Sequence, residues 1–229
     1  MIPVEGIRFL KQLKKNNNRE WFQAHKPVFE EKLRAPMEAV VDGVNQALAA
    51  GAPDYVTDAK KAIFRIYRDT RFSPDKTPYK THLGALFPKR GMGKLTAASF
   101  YFHVAPEGIV VAGGVYFAEP KTLLQLRTYL SESHRELETL LKPKRVKELC
   151  GELHGDALSR PPKGFPADHA AIELIKRKQW YFDLTLPVEE ASQPGFAKTI
   201  SKRFLAMLPV VEFLNRGIPV PKRTDDLLR

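Results

Sequence analysis

Apolar residues recur at helical spacing near both ends of this chain and at strand spacing in its middle. Ile7, Leu10 and Leu13 predict a first short helix, which stops at Lys14-Lys15-Asn16-Asn17-Asn18, a run of poor helix formers suited to a turn. Asn18 is placed to cap a second element whose first turn carries Glu20 and whose apolar face carries Trp21 and Phe22. Pro27 is expected to open a longer helix, because proline suits a first helical position, with Phe29, Leu33, Val40, Val44 and Leu48 as its core stripe. Pro36 should bend or split that helix. Gly51-Ala52-Pro53-Asp54 then closes a helical section over residues 1–52.

The period changes after residue 60. Ile63 to Arg68 is short, β-branched and aromatic, and reads as a strand. Ser99 to Val104 alternates, with Phe100, Phe102 and Val104 on one face and Tyr101 and His103 on the other. Ala105-Pro106-Glu107-Gly108 is turn chemistry and Ile109 to Phe117 is again a strand, so residues 99–117 predict an antiparallel hairpin. Gly113-Gly114 inside that strand marks a bulge, or a place where another backbone or a ligand comes close.

Beyond Pro120 a helix with Leu123, Leu126 and Leu130 is expected, then a second start at Ser133, which has capping-box spacing to Glu136. A short helix is expected over residues 142–151, an irregular loop from Ser159 to Pro166, and a helix capped by Asp168 and running through Ile175. Gln179 to Leu186 reads as one more strand. Phe196, Ile200, Phe204, Leu208 and Val211 define a C-terminal amphipathic helix, followed by a basic tail. The expected class is α+β, a mainly antiparallel β-sheet packed by N-terminal and C-terminal helices. One domain over residues 1–229 is expected: helical over 1–52, motif and β core over 60–117, and helical with one further strand over 120–215.

At 229 residues and 43% hydrophobic, the chain is long enough to bury a sizeable core. No apolar run reaches the ~18–20 residues that cross a bilayer, and the N-terminus has no secretory pattern, so a cytoplasmic location without membrane partners is expected. The single cysteine, Cys150, falls in the last turn of an expected helix and is no catalytic candidate. A pI near 9.7 points to an acidic partner, whether nucleic acid, nucleotide, another phosphorylated ligand or an anionic surface.

That charge is concentrated. Between Lys60 and Lys94 stand ten Lys or Arg against only Asp69 and Asp75, a surplus of eight out of the chain's net +11. The stretch reads Arg65-x-x-Arg68-Asp69-x-Arg71-Phe72, then Ser73-Pro74, then Asp75-Lys76-Thr77-Pro78-Tyr79-Lys80. With Phe9-Leu10, Asn16 to Phe22, Gly113-Gly114, Gly164 to His169 and Ala171 to Leu174, this resembles the uncharacterised, mainly bacterial family known as domain of unknown function 2461. The resemblance covers nearly the whole chain. It implies a shared fold and central motif, and carries over no substrate or cofactor.

Read from its own residues, the stretch is a strand followed by a loop pinned by Pro74 and Pro78. Arg65, Arg68, Arg71, Lys76 and Lys80 are candidates for a phosphate clamp, since guanidinium forks match phosphate oxygens and lysine adds a point charge. Tyr67, Phe72 and Tyr79 interleave with the cations as base stacking requires, and Tyr101 is a further stacking or hydroxyl contact. Two other readings stand beside this one. The chain is an enzyme acting on a small anionic substrate, with Asp69 or Asp75 as base or metal ligand and His82 and His103 as further candidates, Glu119 adding a carboxylate. Or the arginines and aspartates form an internal lattice that serves architecture alone. Two aspartates against five cations favour an external anion. No histidine has metal-site spacing, and no nucleotide-binding glycine loop is present, so no metal site or cofactor is assigned. Trp21 and Trp180 read as core or interface, with Trp21, Arg19 and His25 as an alternative pocket lining.

Overall fold

The computed structural model describes residues 1–220, so the expected basic tail lies outside the described residues. The helices are α1 (Val4–Lys15), α2 (Arg19–Phe29), α3 (Ala35–Gly51), α4 (Ala59–Ala62), α5 (Pro120–Leu141), α6 (Lys144–Cys150), α7 (Ile172–Ile175) and α8 (Phe196–Arg216). The strands are β1 (Leu83–Pro88), β2 (Ser99–Ala105), β3 (Gly108–Val115), β4 (Leu153–His154) and β5 (Trp180–Leu186), in one antiparallel sheet of order β1-β2-β3-β5-β4. This is an α+β fold with helices at both ends, as the alternation of periods predicts. No helix among the described residues is long and apolar enough to cross a membrane.

Several local expectations are corrected. Pro27 does not open a helix: Asn18 does so, its side chain accepting from Trp21 N at 2.9 Å, and Pro27 lies inside α2 on an exposed turn. A wide π turn, Glu30–Arg34, separates α2 from α3. Its cause is Pro36, which has no N–H for the Lys32 carbonyl, and the chain compensates with Ala35 N–H donating back to Glu30 O. Ser133 starts nothing, because α5 runs unbroken from Pro120 to Leu141 and the residue sits mid-helix. Asp168 caps nothing either: α7 begins only at Ile172, and Ala171 N donates to His169 Nδ1 at 3.0 Å.

The segment from Ile63 to Arg68 is extended without being a strand. It touches its neighbours through two isolated antiparallel bridges, Ile63 to Ala85 and Tyr67 to Tyr79. Arg68 N donates to Pro78 O at 2.9 Å and Lys80 N to Ile66 O at 2.8 Å, but Pro78 has no N–H to return and the ladder breaks there.

The chain sorts into two compact units, and β2, β3 and β5 contribute residues to each. The first comprises Met1–Phe87, Tyr101–Val111 and Leu184–Lys202. Its helical part is organised by Phe9, Phe22 and Phe29, with ring centroids 5.5–6.1 Å apart, and Phe102 packs between Phe87 and Phe196. The second comprises Pro88–Phe100, Ala112–Asp183 and the described residues from Arg203. There Phe204 stacks on Phe100 at 4.9 Å, and Asn215 holds the Ala98 backbone through two 2.9 Å bonds. Trp180 is fully buried in this unit, with Nε1 donating to Leu174 O at 3.1 Å. Cys150 ends α6, closed by Gly151 at φ +73°, and burial pushes its thiol up to about 11, far from a nucleophile's range.

Candidate functional site

The motif folds into two neighbouring parts with opposite characters. The first is the loop closed by the Tyr67–Tyr79 bridge. Arg68, partly buried, donates through Nη1 to the Asp75 carboxylate and to Thr77 Oγ1, while Asp75 Oδ1 accepts from Thr77 N at 2.9 Å. Asp69 receives Arg71 in two-point geometry, Nε at 3.0 Å and Nη2 at 2.7 Å, and also its backbone N–H at 3.2 Å. Lys76 Nζ donates to Thr70 O at 2.9 Å. The loop cations expected to clamp a ligand are thus turned onto loop acceptors. Arg71 hydrogen bonds hold Asp69 down at about 2, and bonds from Thr77 N and Arg68 hold Asp75 at about 2. Carboxylates held so low are poor bases near neutral pH, and both act as counter-ions.

Two aromatic candidates separate here. Phe72 stands 93% exposed at the loop tip with the Arg71 guanidinium 5.8 Å from its ring centroid. Tyr79 is buried instead, its ring stacked 4.0 Å from Phe22 and its backbone gripped by Asn17, which donates to Tyr79 O at 2.9 Å and accepts from Tyr79 N at 3.0 Å. Tyr79 therefore anchors the loop to α2. Because the Arg68–Asp75 pair is half open to solvent, Arg68→Ala is expected to lower stability by only about 1 kcal/mol, a melting shift of roughly 2–4 °C. A shift several times larger in a thermal melt would make the loop a determinant of the fold.

The second part lies where the motif leads into β1. Strand alternation in β2 sends Phe102 and Val104 into the core and leaves Tyr101 and His103 half-buried on the other face. His82, one residue before β1, brings its ring to 4.7 Å from that of His103, and His103 Nδ1 lies 3.1 Å from Tyr101 Oη. Lys80 Nζ sits 5.1 Å over the Phe64 ring. Glycine at position 84 makes room for this group, since a Cβ there would fall 2.6 Å from Tyr101 Oη.

Every titratable member is pushed toward its neutral form, and burial is the leading cause each time. His82 is lowered by burial and by Lys80; His103 falls to about 4, with His82 adding to the effect. Lys80 is lowered by burial and by Arg65, and burial raises the Tyr101 hydroxyl to about 12. Glu107 is the acid felt by His103, and it pairs on the surface with Lys14. Arg65, exposed, is felt by both Asp69 and Lys80 and so lies between the two parts.

The neutral His103 links this patch to stability. Between its ordinary 6.5 and about 4 the unfolded chain binds the extra proton, so stability is complete above that window and falls as pH drops through it. Asp69 and Asp75 act in a lower window, between 3.8 and about 2. Denaturant unfolding should therefore show a loss on the order of 1 kcal/mol between about pH 7 and pH 4 that His103→Gln removes.

Of the residues singled out from sequence, Lys80, His82, Tyr101 and His103 converge, with Arg65 beside them. Arg68, Arg71, Lys76, Asp69 and Asp75 pair among themselves and with loop oxygens. Trp21 stacks on His25 at 4.0 Å, with His25 Nδ1 bonded to Trp21 O at 2.8 Å, an intrahelical pair; Glu119 is exposed just before α5. Sequence reasoning missed Phe64 and Gly84, whose parts depend on packing across strands. Among the described residues no three His, Cys, Asp or Glu are grouped so that they could hold a metal ion.

Fold and patch together define an α+β protein with a basic, largely carboxylate-free polar cluster beside a stapled loop. The chain belongs to the family described as conserved hypothetical protein (DUF2461), whose model matches residues 5–213. No curated protein and no solved structure matches it.

Proposed function

We propose that this protein binds a small phosphorylated ligand at Arg65, Lys80, His82, Tyr101 and His103, with the Arg68–Tyr79 loop as a rigid rim. The observation that supports this most is the company of Lys80: a partly desolvated ammonium beside two neutral imidazoles and a phenol, with no carboxylate felt by it. Such a cation gains most from an incoming anion, because desolvation strengthens the new pair. Neutral imidazole N–H and phenol O–H groups add donors for phosphate oxygens. Arg68, Arg71 and Lys76 then shape the rim and contribute positive potential at longer range.

Isothermal titration of the full chain with a nucleoside monophosphate, pyrophosphate and a single-stranded oligonucleotide tests this at several salt concentrations. One or two phosphates engaged by Arg65 and Lys80 give a log K against log salt slope of roughly −1 to −2, whereas a polynucleotide engaging all five motif cations gives roughly −4. The shallow slope is expected. Absence of binding to all three probes would remove the proposal, and a steep slope confined to the oligonucleotide would replace it with nucleic-acid recognition, for which the exposed Phe72 beside Arg71 would serve as a stacking platform.

The His82–His103 contact favours a second reading, an enzyme acting on the same class of ligand. Its proton carrier would be His82 or His103 instead of Asp69 or Asp75: burial lowers both imidazoles, His103 to about 4, but carboxylates held at about 2 are weaker bases still. Under this reading His103→Gln abolishes turnover of a phosphate ester while leaving its binding within about threefold.

A further inference from the structure

One member of the patch differs from the others in kind, because a primary amine can form a covalent bond as well as an ion pair. Lys80 follows Tyr79, whose backbone is gripped by Asn17, and its own N–H donates to Ile66 O at 2.8 Å, so the side chain leaves a fixed stretch of chain. It is half-buried, with Nζ 5.1 Å from the centroid of the Phe64 ring. The influences on its charge are burial and Arg65, both of which favour the free amine, and no carboxylate is among them. Lys76 in the same motif is the contrast, exposed and held on Thr70 O. A lysine desolvated against an apolar ring beside a second cation is set up as a nucleophile toward carbonyl carbon.

The groups that such a reaction needs stand close by. The Phe64 ring under Nζ is also 6.2 Å from the Tyr101 ring, so amine and phenol share one aromatic neighbour. Tyr101 Oη lies 3.1 Å from His103 Nδ1, and the His82 ring, which feels Lys80, is 4.7 Å from that of His103. A phenol that stays protonated and an imidazole bonded to it form a pair through which a proton passes without either group ending charged.

We infer that Lys80 forms an imine with a phosphorylated aldehyde or ketone whose phosphate is held by Arg65. The inference rests on the phosphate-binding reading above and gives that ligand its reactive group. Arg65 cannot shed its charge and suits the phosphate, whereas Lys80 sheds its own readily and suits the carbonyl. The Nζ lone pair attacks the carbonyl carbon, a C–N bond forms, and the C=O π pair moves to oxygen. One proton passes from nitrogen to that oxygen through the Tyr101–His103 pair, giving a neutral carbinolamine. Its C–O bond then breaks, the remaining Nζ proton leaves with the hydroxyl as water, and the nitrogen lone pair closes the C=N bond. No oxidant or reductant is consumed.

The test incubates the full chain with glyceraldehyde 3-phosphate and sodium cyanoborohydride, whose hydride reduces any imine to a stable secondary amine, and locates the adduct by peptide mass spectrometry. Glyceraldehyde without phosphate is the comparison. Lys80 is expected to be modified at least about tenfold faster by the phosphorylated aldehyde, ahead of exposed lysines such as Lys11 and Lys15, because a held phosphate raises the local concentration of the carbonyl. Pyrophosphate should protect it, and Arg65→Gln should bring the rate down to that of the unphosphorylated aldehyde. Modification of Lys80 no faster than of Lys11 and Lys15, or equal rates with both aldehydes, would overturn the inference. Pyrophosphate binding at the patch without a Lys80 adduct would overturn it and leave the phosphate site standing, whereas absence of both would remove the site as well.

Discussion

Gly114→Ala is expected to lower stability by about 3 kcal/mol or more, a fall in melting temperature of roughly 6–12 °C for a chain of this size. Two independent costs combine at this position. Its φ of +133° lies where a side chain is strained, and an alanine Cβ would stand 2.2 Å from Trp180 O and 2.7 Å from Tyr181 Cα. Both obstacles are backbone of β5, which cannot swing aside as a side chain would. Gly91 provides the control: its φ is +79°, but a Cβ there meets nothing within 4 Å, so Gly91→Ala should cost about 1 kcal/mol of backbone strain and no more. Thermal or urea unfolding of the two variants separates the terms. A Gly114→Ala melt within about 2 °C of the parent would mean that β3 and β5 do not approach as closely as described.

Lys80→Met is expected to weaken binding of the phosphorylated ligand at least tenfold, about 1.4 kcal/mol, with little change in stability. Methionine preserves the length of the side chain over Phe64, and a partly buried ammonium that burial already disfavours contributes little to folding. Lys76→Met is the matched comparison. Lys76 is exposed and its Nζ is held by Thr70 O, so the change should alter affinity less than about twofold. Equal losses in both variants would show that the ligand reads the charge of the whole motif and not the patch.

These two predictions also mark what the sequence made legible. Gly113-Gly114 inside a run of β-branched residues announces a close approach, and the partner is the β5 backbone, which no local pattern could name. Helices with a stripe, such as α1, α3 and α8, were readable because each buries one face. Strand β1 was not: Leu83-Gly84-Ala85-Leu86-Phe87 is buried at every position and so shows no alternation, and its glycine and proline look like breakers. The break between α2 and α3 at Pro36 was foreseen, but the π turn that absorbs it was not.

For the site, the distinction is between residues and their company. Lys80, His82, Tyr101 and His103 were all candidates, yet their convergence depends on β1 pairing with β2 across a 10-residue gap in sequence, residues 89–98. Counting charges treated the motif as one cationic surface. Folding divides it, because Asp69 and Asp75 stand only two and seven residues from Arg71 and Arg68 and take their charges locally, leaving Arg65 and Lys80 outside those pairs. In the loop Arg68 pairs with Asp75 and Arg71 with Asp69, and the anion site is proposed for the patch beside it.

The most direct test follows the ring protons of His82 and His103 by NMR as pH is lowered, with and without pyrophosphate. In the free protein the account predicts that His103 stays neutral until about pH 4, and that pyrophosphate shifts both ring signals and raises the midpoint of each, since a bound anion favours imidazolium. Ordinary titration near 6.5 in the free protein, or ring signals indifferent to pyrophosphate while the protein binds it elsewhere, would contradict it.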